Sequence, residues 1–411
     1  MFEWSEQHRM IRDAVRKFVE AEIKPNLEQL EHGDLPPYDV LRKLISTFGM
    51  DEMARVRFQK QIAREKAQAA TGKPAEEAER EVGGRGDAVA MQLIPIIELC
   101  RYCPGLVTAM GVSMGLTAAA ILSKGTTQQK ERWALDLLTL EKIGAWAITE
   151  PSSGSDAFGS MKSTARRDGK GGYLLSGNKT FITNGPYADT IVFICKLEEE
   201  NVAPRERKVL TFVLDKGMPG LTQSKPMRKM GLHSSPTGEL FLQDVRVGPD
   251  RLLGETEASA SRTGAKATFS IERTGVASMA LGIVERCLEL SLQYARERVQ
   301  FGRPIGEFQL IQDKLARMEV ARLNLQNLVF RQIEMAEAGR GPTLAEASAM
   351  KLYAARAAVE VALEAVQVHG GNGYMAEYHV EQLCRDAKVL QIYAGTDEIQ
   401  ISAIARELLS R

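Results

Sequence analysis

The sequence predicts an α+β protein whose helices and strands are segregated along the chain. Three observations carry that prediction. Helical periodicity runs from Trp4 to about Leu140; β-branched and aromatic runs bounded by Gly, Pro and Asp fill Ile143 to Gly254; Ala/Leu/Glu-rich helical periodicity returns from Thr263 to the end. Helices, then strands, then helices do not make an alternating βαβ sheet. At 411 residues the chain exceeds one small core, and its texture divides it into an all-α domain (1–142), a β domain (143–254) and a helical bundle (255–411).

Within the first region Met10, Ile11, Val15, Phe18 and Val19 form a buried-type stripe, and Thr126 with Gln129 makes a capping box opening another helix. The uncharged run LVTAMGVSMGLTAAAIL, Leu106 to Leu122, is short for a bilayer and rich in Gly, Ser and Thr, so it reads as a buried helix and not as a membrane span. Asp51 to Asp87 is highly charged, the composition of solvated helices around a Gly-Pro break or of a mobile excursion, and GGRGDA within it reads as a linker. In the middle region SMKSTARRD alternates and GYLLSGNKTFITNG reads strand–turn–strand, while TIVFICKL, KVLTFVLDK and GELFLQDVRV read as strands. The last region is broken by FGRPIGEF, GRGPT and HGGNGYMAEY, and Ala345 to Val368 is apolar over most of its surface, as in the middle of a bundle.

Composition excludes several classes. Lys+Arg and Asp+Glu both count 53, so no global field draws nucleic acid or anionic membrane. MFEWSEQHR lacks the basic-then-apolar pattern of a signal peptide, and an odd count of five cysteines suggests reduced thiols in a cytoplasmic setting. Cys100 and Cys103 form one C-x-x-C without the second pair of a zinc ribbon or a thioredoxin-like context, and the five histidines show no ligand spacing, so no metal is expected. No strand leads into G-x-G-x-x-G, and no Walker loop is present.

One carboxylate stands out. In FSIERTGVASMALGIVERCL, Phe269, Val276, Met279, Ala280, Ile283 and Cys287 share a helical face, and Glu272 lies within it. Desolvating a carboxylate is costly unless something pairs with it or uses it. A purely structural role would put Glu272 in a first helical turn, where the dipole favours it, with Thr268 or Ser270 as cap and Arg273 as neutraliser. Three polar, glycine-containing loops are the natural ligand sites: WAITEPSSGSD, TFITNG and VQVHGGNGYMAEYHVEQLCRDAKVLQIYAGTDEIQ.

These motifs resemble the acyl-CoA dehydrogenase family. Its T-E-P-x-x-G-S-D loop stands as TEPSSGSD, its W-I-T-N-G element as FITNG, and its K-x-G-x-R-x-S…E-L-x-F-x-D-V segment as KMGLHSSPTGELFLQDV. RVQFGRPIGEFQ, QVHGGNGY, RDAK and GTDEI complete the series. The resemblance implies a flavoenzyme with an N-terminal helical domain, a middle β-barrel-like domain and a C-terminal four-helix bundle, assembled as a homotetramer (a dimer of dimers), with FAD between β domain and bundle and partly held by a neighbouring subunit. Motif matching assigns Trp146, Ala147, Ile148, Thr149, Ser155, Phe181, Ile182 and Thr183 to the flavin ring and linker. It assigns Arg298, Phe301, Gln309, Gln367, Val368, His369, Gly370 and Gly371 to the adenosine and pyrophosphate, and Thr396, Asp397 and Glu398 to the closing of the site. Ser155, Ser270, Arg273, Ala394 and Gly395 would lie against the acyl-CoA.

Two departures from the family pattern bear on the flavin and the substrate. Phe181 replaces the usual tryptophan, keeping an aromatic wall but losing an N–H donor, and Asp51 to Asp87 replaces a Gly-rich stretch, which alters the expected substrate entrance. A third concerns the base. Many members carry Y-E-G-T, whose glutamate removes the α-proton; here the string is Tyr393-Ala394-Gly395-Thr396. A subset resembling isovaleryl-CoA and long-chain acyl-CoA dehydrogenases places the base at an E-R pair opening a bundle helix, which Glu272-Arg273 matches. The implied reaction is dehydrogenation of an acyl-CoA to the trans-2-enoyl-CoA, as in fatty acid β-oxidation, with electrons passing to an electron-transferring flavoprotein. The alternatives on the same fold are an acyl-CoA oxidase, a flavin monooxygenase or a non-catalytic flavin-binding partner subunit.

Overall fold

The structure, a computed structural model, describes residues 2–33, 35–71, 84–257 and 262–410, with side chains for all of these except 71 and 262–271. The first region is helical: α1 (Glu6–Phe18), α2 (Leu27–Glu31), α3 (Tyr38–Thr47), α4 (Met50–Thr71), α5 (Arg85–Cys100), α6 (Pro104–Met110), α7 (Ala119–Lys124) and α8 (Thr127–Leu138). Ser5 and His8 cap α1 reciprocally, and Thr126 and Gln129 do the same for α8. A π-helical stretch, Gly111–Ala118, joins α6 to α7. This helix is long and apolar enough to cross a membrane, yet Leu106, Val107, Leu116, Ala118 and Ile121 are buried inside the protein. The charged segment contains α4, whose Phe58 and Ile62 are buried; its Gly-Pro break lies outside the described residues. GGRGDA is no simple linker: Arg85 to Ala88 form the first turn of α5, and the Glu337 carboxylate accepts from the Gly86 N–H at 2.7 Å.

The middle region is one seven-stranded sheet: β1 (Gly144–Ala147), β2 (Thr164–Arg167), β3 (Tyr173–Thr183), β4 (Thr190–Leu197), β5 (Val209–Asp215), β6 (Leu221–Gln223) and β7 (Thr237–Val247). β4 pairs antiparallel with β5 on one edge and parallel with β1, then β2, on the other; β2–β3–β7–β6 continues antiparallel. Ala145, Ala165, Leu175, Phe193, Phe212 and Leu240, from six strands, share one apolar cluster, as in a sheet wrapped about its own core with β5 and β6 as edges. Val192 and Ile194 pack the other way, on Trp133, Ala134 and Leu137 of α8, so β4 is buried along its whole length.

GYLLSGNKTFITNG is not strand–turn–strand. It is the single strand β3, paired with β7 from Tyr173 to Thr183 and bulged twice. The glycine that suggests a turn is a close approach: at Gly177 (φ +150°) an added Cβ would lie 2.2 Å from Ser163 Oγ.

The last region holds α9 (Arg262–Glu297), the hairpin β8 (Val299–Gln300) and β9 (Arg303–Pro304), α10 (Gln309–Glu337), α11 (Leu344–His369), α12 (Val380–Lys388) and α13 (Asp397–Leu408). α11 packs against α9, α10 and α13, and its buried Ala354, Ala355, Ala358, Ala362 and Ala365 permit close helix approach. α9 also packs on α5, so the bundle and N-terminal helices share one core. Glu272 does not open its helix, because α9 begins ten residues earlier at Arg262. Neither Thr268 nor Ser270 is its cap, and a dipole effect confined to the first turn does not reach it.

Candidate functional site

Glu272 projects from the third turn of α9, ahead of the buried Val276, Met279, Ala280, Ile283 and Cys287. Burial raises its pKa to about 7, against the opposing pull of Arg273 and Lys351. Arg273 is buried and donates to Ser348 Oγ on α11 at 2.9 Å, while its Nε has no partner among the described residues. Tyr393 Oη donates to Met279 Sδ at 3.3 Å, and the Glu272 charge contributes to the raised pKa of that phenol, so the segment before α13 faces Glu272.

That segment has an unusual backbone. Ala394 (φ +54°) and Gly395 (φ +89°) form a left-handed pair, and a Cβ at Gly395 would meet Gln400 Nε2 at 2.7 Å. Gln400 Nε2 donates to the carbonyls of Ala394 (2.9 Å) and Gly395 (2.7 Å), and the buried Lys351 Nζ donates to Gly395 O at 2.8 Å. Asp397 Oδ1 lies 3.6 Å from Lys351 Nζ, and its Oδ2 accepts from Arg356 Nε at 3.1 Å. Thr396 is the N-cap of α13, accepting from the Ile399 N–H. Sequence reasoning grouped Asp397 with the cofactor residues and did not single out Lys351; in the fold they are ion-pair partners.

The middle-domain residues gather around a buried ion pair. Glu150 accepts from the Lys162 and Ser163 N–H groups (2.6 and 2.9 Å) and from Lys179 Nζ (2.9 Å), which also donates to Ile148 O at 3.0 Å. Lys179 and Glu150 were not anticipated as a pair, since 29 residues separate them. The Thr180 N–H donates to Thr149 O at 3.0 Å, so the loop after β1 and the second bulge of β3 are tied together. That bulge puts Phe181 at φ +56° and aims its ring outward, 65% exposed, while Ile182 is buried. Asn184, just after, is a buried strut between domains: its Nδ2 donates to Ala109 O and Gly144 O, and its Oδ1 accepts from Tyr38 Oη. Trp146 is half-buried, Ala147 and Ile148 are buried, and Ser155 is exposed.

The remaining residues meet at one end of the bundle. Tyr294, near the end of α9, stacks on His369 at 4.4 Å and accepts from Asn372 Nδ2 at 3.0 Å. This places the hairpin carrying Arg298 and Phe301 beside the turn of Gly370 and Gly371. Val368 and His369 are buried, His369 Nδ1 bonding Ala365 O, so they shape this end from within. Arg298, Gln309 and Gln367 have no side-chain partner among the described residues; in particular Arg298 pairs with neither Glu297 nor Glu307. Phe301 is 94% exposed, and an added Cβ at Gly370 or Gly371 would meet open space. No described hydrogen bond or ring contact joins this group to Phe181. Two outward aromatic surfaces, an unpaired guanidinium and a glycine turn with room above it fit a flat, phosphate-bearing dinucleotide. The side chain of Ser270 lies outside those described, and Glu398 is exposed beside the N-cap of α13. Among the described residues no group of three His, Cys, Asp or Glu could hold a metal.

Comparison with known proteins agrees along the whole chain. Sequence models of the acyl-CoA dehydrogenase N-terminal, middle and C-terminal domains match residues 5–141, 145–245 and 263–409. An acyl-CoA dehydrogenase of Bacillus subtilis is 37% identical over 97% of this chain and 97% of its own length, and a 3-(aryl)acrylate reductase of Clostridium sporogenes is 34% identical over 99% of both. Among solved structures, one described as "Electron transferring flavoprotein of Acidaminococcus fermentans: Towards a mechanism of flavin-based electron bifurcation" is 32% identical with TM-score 0.81, covering 100% of both chains. The acyl-CoA dehydrogenase of Bacillus anthracis complexed with FAD is 28% identical with TM-score 0.80, over 99% of this chain and 68% of that one.

Proposed function

This chain belongs to the acyl-CoA dehydrogenase family of FAD-dependent oxidoreductases, and from that premise we propose that it removes the α-proton and β-hydride of an acyl-CoA thioester, with Glu272 as the base and an electron-transferring flavoprotein as acceptor. The observation that carries the reading is the Glu272 carboxylate, partly buried by surface area and with its pKa raised to about 7 by desolvation, facing a Tyr393-Ala394-Gly395 turn that has no carboxylate of its own. FAD, when bound, supplies the hydride acceptor. The chain's own residues do the rest. Glu272 takes the α-proton, and its apolar surroundings weaken its hold on charge so that it is a useful base at neutral pH. Arg273, fixed by Ser348, offers its unsatisfied Nε N–H beside the base, where it supports the carboxylate's ionised form. Phe181, turned out by the bulge, supplies an apolar wall over the flavin, and Arg298, Gln309 and the Gly370–Gly371 turn meet the phosphate and adenosine end from a neighbouring copy.

The test is a panel of acyl-CoAs of differing length and branching, assayed with a dye acceptor, with the electron-transferring flavoprotein and with air. Turnover with the first two and slow reoxidation by air supports the reading, whereas rapid reoxidation by air would favour an oxidase or monooxygenase. The relative named as an aryl-acrylate reductase favours a second reading, reduction of an enoyl thioester by the same machinery run backwards, and reduced acceptor with an enoyl substrate distinguishes it. The rate of substrate-driven flavin reduction should rise with pH through about 7, because only the ionised Glu272 accepts the proton. A rate flat from pH 6 to 8.5 would contradict that assignment. The bound flavin released by heat should be FAD and not FMN, checked by chromatography.

A further inference from the structure

We propose that Lys351 is the positioning residue of the base: from α11 its buried ammonium pins the left-handed Ala394–Gly395 turn and sets a fixed positive charge beside Glu272. This rests on Glu272 being the base and adds what holds it in working order.

The geometry makes the case. Lys351 has no solvent exposure, although its neighbours on the buried face of α11 include Met350, Ala354, Ala355 and Ala358. A buried ammonium is retained only where its donors are used. One N–H goes to Gly395 O at 2.8 Å, and Asp397, at 3.6 Å, partly balances the charge. Asp397 is shared with Arg356, so it does not cancel Lys351 fully. Among the described residues, the charged and titratable groups facing Glu272 are Arg273 on its own helix, Lys351 on α11, with Asp397 behind it on α13, and the Tyr393 phenol. Arg273 and Lys351 both oppose the effect of burial on Glu272. In the same gesture Lys351 holds the turn whose other carbonyl is held by Gln400, so the floor beneath the carboxylate has fixed hydrogen bonds at both peptides.

The test is the pH dependence of anaerobic flavin reduction by an acyl-CoA in FAD-loaded Lys351→Met, Lys351→Arg and Asp397→Asn, beside wild type and Glu272→Gln. Lys351→Met should move the rising, acid-side limb of the profile, the one set by Glu272, upward by about one pH unit, since the neighbouring positive charge is gone. Lys351→Arg should return it to within a few tenths of a unit. Asp397→Asn should move it downward, because Lys351 and Arg356 are then less neutralised; this variant keeps the test alive where Lys351→Met does not fold. An unmoved limb in both Lys351→Met and Asp397→Asn, with rates lowered equally at every pH, would overturn the proposal and leave Lys351 a structural anchor. Failure of the underlying reading would look different: Glu272→Gln would reduce its flavin at the wild-type rate.

Discussion

Glu272→Gln should bind FAD and fold as the parent does while flavin reduction by acyl-CoA falls at least about 10²–10⁴-fold, the range for losing a general base. The exchange is nearly isosteric, and it replaces a carboxylate whose ionisation is opposed by burial with an amide that carries no charge. Thermal stability should therefore stay level or rise, measured by flavin fluorescence on heating. Transplanting the base extends the prediction. Glu272→Gly combined with Ala394→Glu should recover part of the rate with a changed preference for chain length, since Ala394 lies in the turn that faces Glu272 from a different element. Position 394 already adopts φ +54°, so the new side chain adds little backbone strain beyond what alanine bears.

The second large effect concerns stability. Lys179→Met should destabilise the protein by about 3–5 kcal/mol, the cost of removing one partner from a buried ion pair. Glu150 would retain its two backbone donors from Lys162 and Ser163 but lose the ammonium at 2.9 Å, and Ile148 O would lose its donor. Glu150 and Ile148 shape the loop after β1, so flavin affinity should fall with stability; chemical denaturation of the FAD-loaded protein measures the first, and flavin release the second. Lys179 and Glu150 replaced together by a matched Met–Leu pair should recover much of the loss, because no charge is then left unpaired.

The pattern of strands and helices was legible because it depends on short-range periodicity. The stripe of α9, the capping box of α8 and the β-rich middle region all follow from neighbours within a few residues. Misreadings arose where a local signal competes with distant packing. Gly177 and Asn178 carry turn chemistry, but pairing with β7 along eleven residues keeps β3 extended and leaves only bulges. Thr268 and Ser270 have capping side chains, but no proline lies between Arg262 and Glu272, so α9 runs through them. The π-helical stretch at Gly111–Ala118 leaves no mark in a uniformly apolar run.

At the site, the sequence motifs marked which loops matter, but not what holds them. Lys351 was hidden by the apolar helix around it, and Asp397 by its place in a ligand motif; only folding brings α11 and α13 together. The same holds for Asp386 and Glu31. Asp386, from RDAK, accepts from the Leu232 N–H and has its pKa pushed up by burial and by the nearby Glu31, on which His233 and Cys103 converge. These contacts join all three regions: Cys103 meets Glu31 across 72 residues of sequence and Leu232 meets Asp386 across 154.

The claim that Glu272 is the α-base is tested most directly by separating proton removal from hydride transfer. An acyl-CoA with an ether oxygen at its β-position has acidic α-protons and no β-hydride to give. Incubated in D₂O with the FAD-loaded protein and followed by proton NMR, its α-protons should exchange with wild-type protein and not with Glu272→Gln beyond the solvent background. Exchange by Glu272→Gln at the wild-type rate would contradict the assignment and return Glu272 to a structural role.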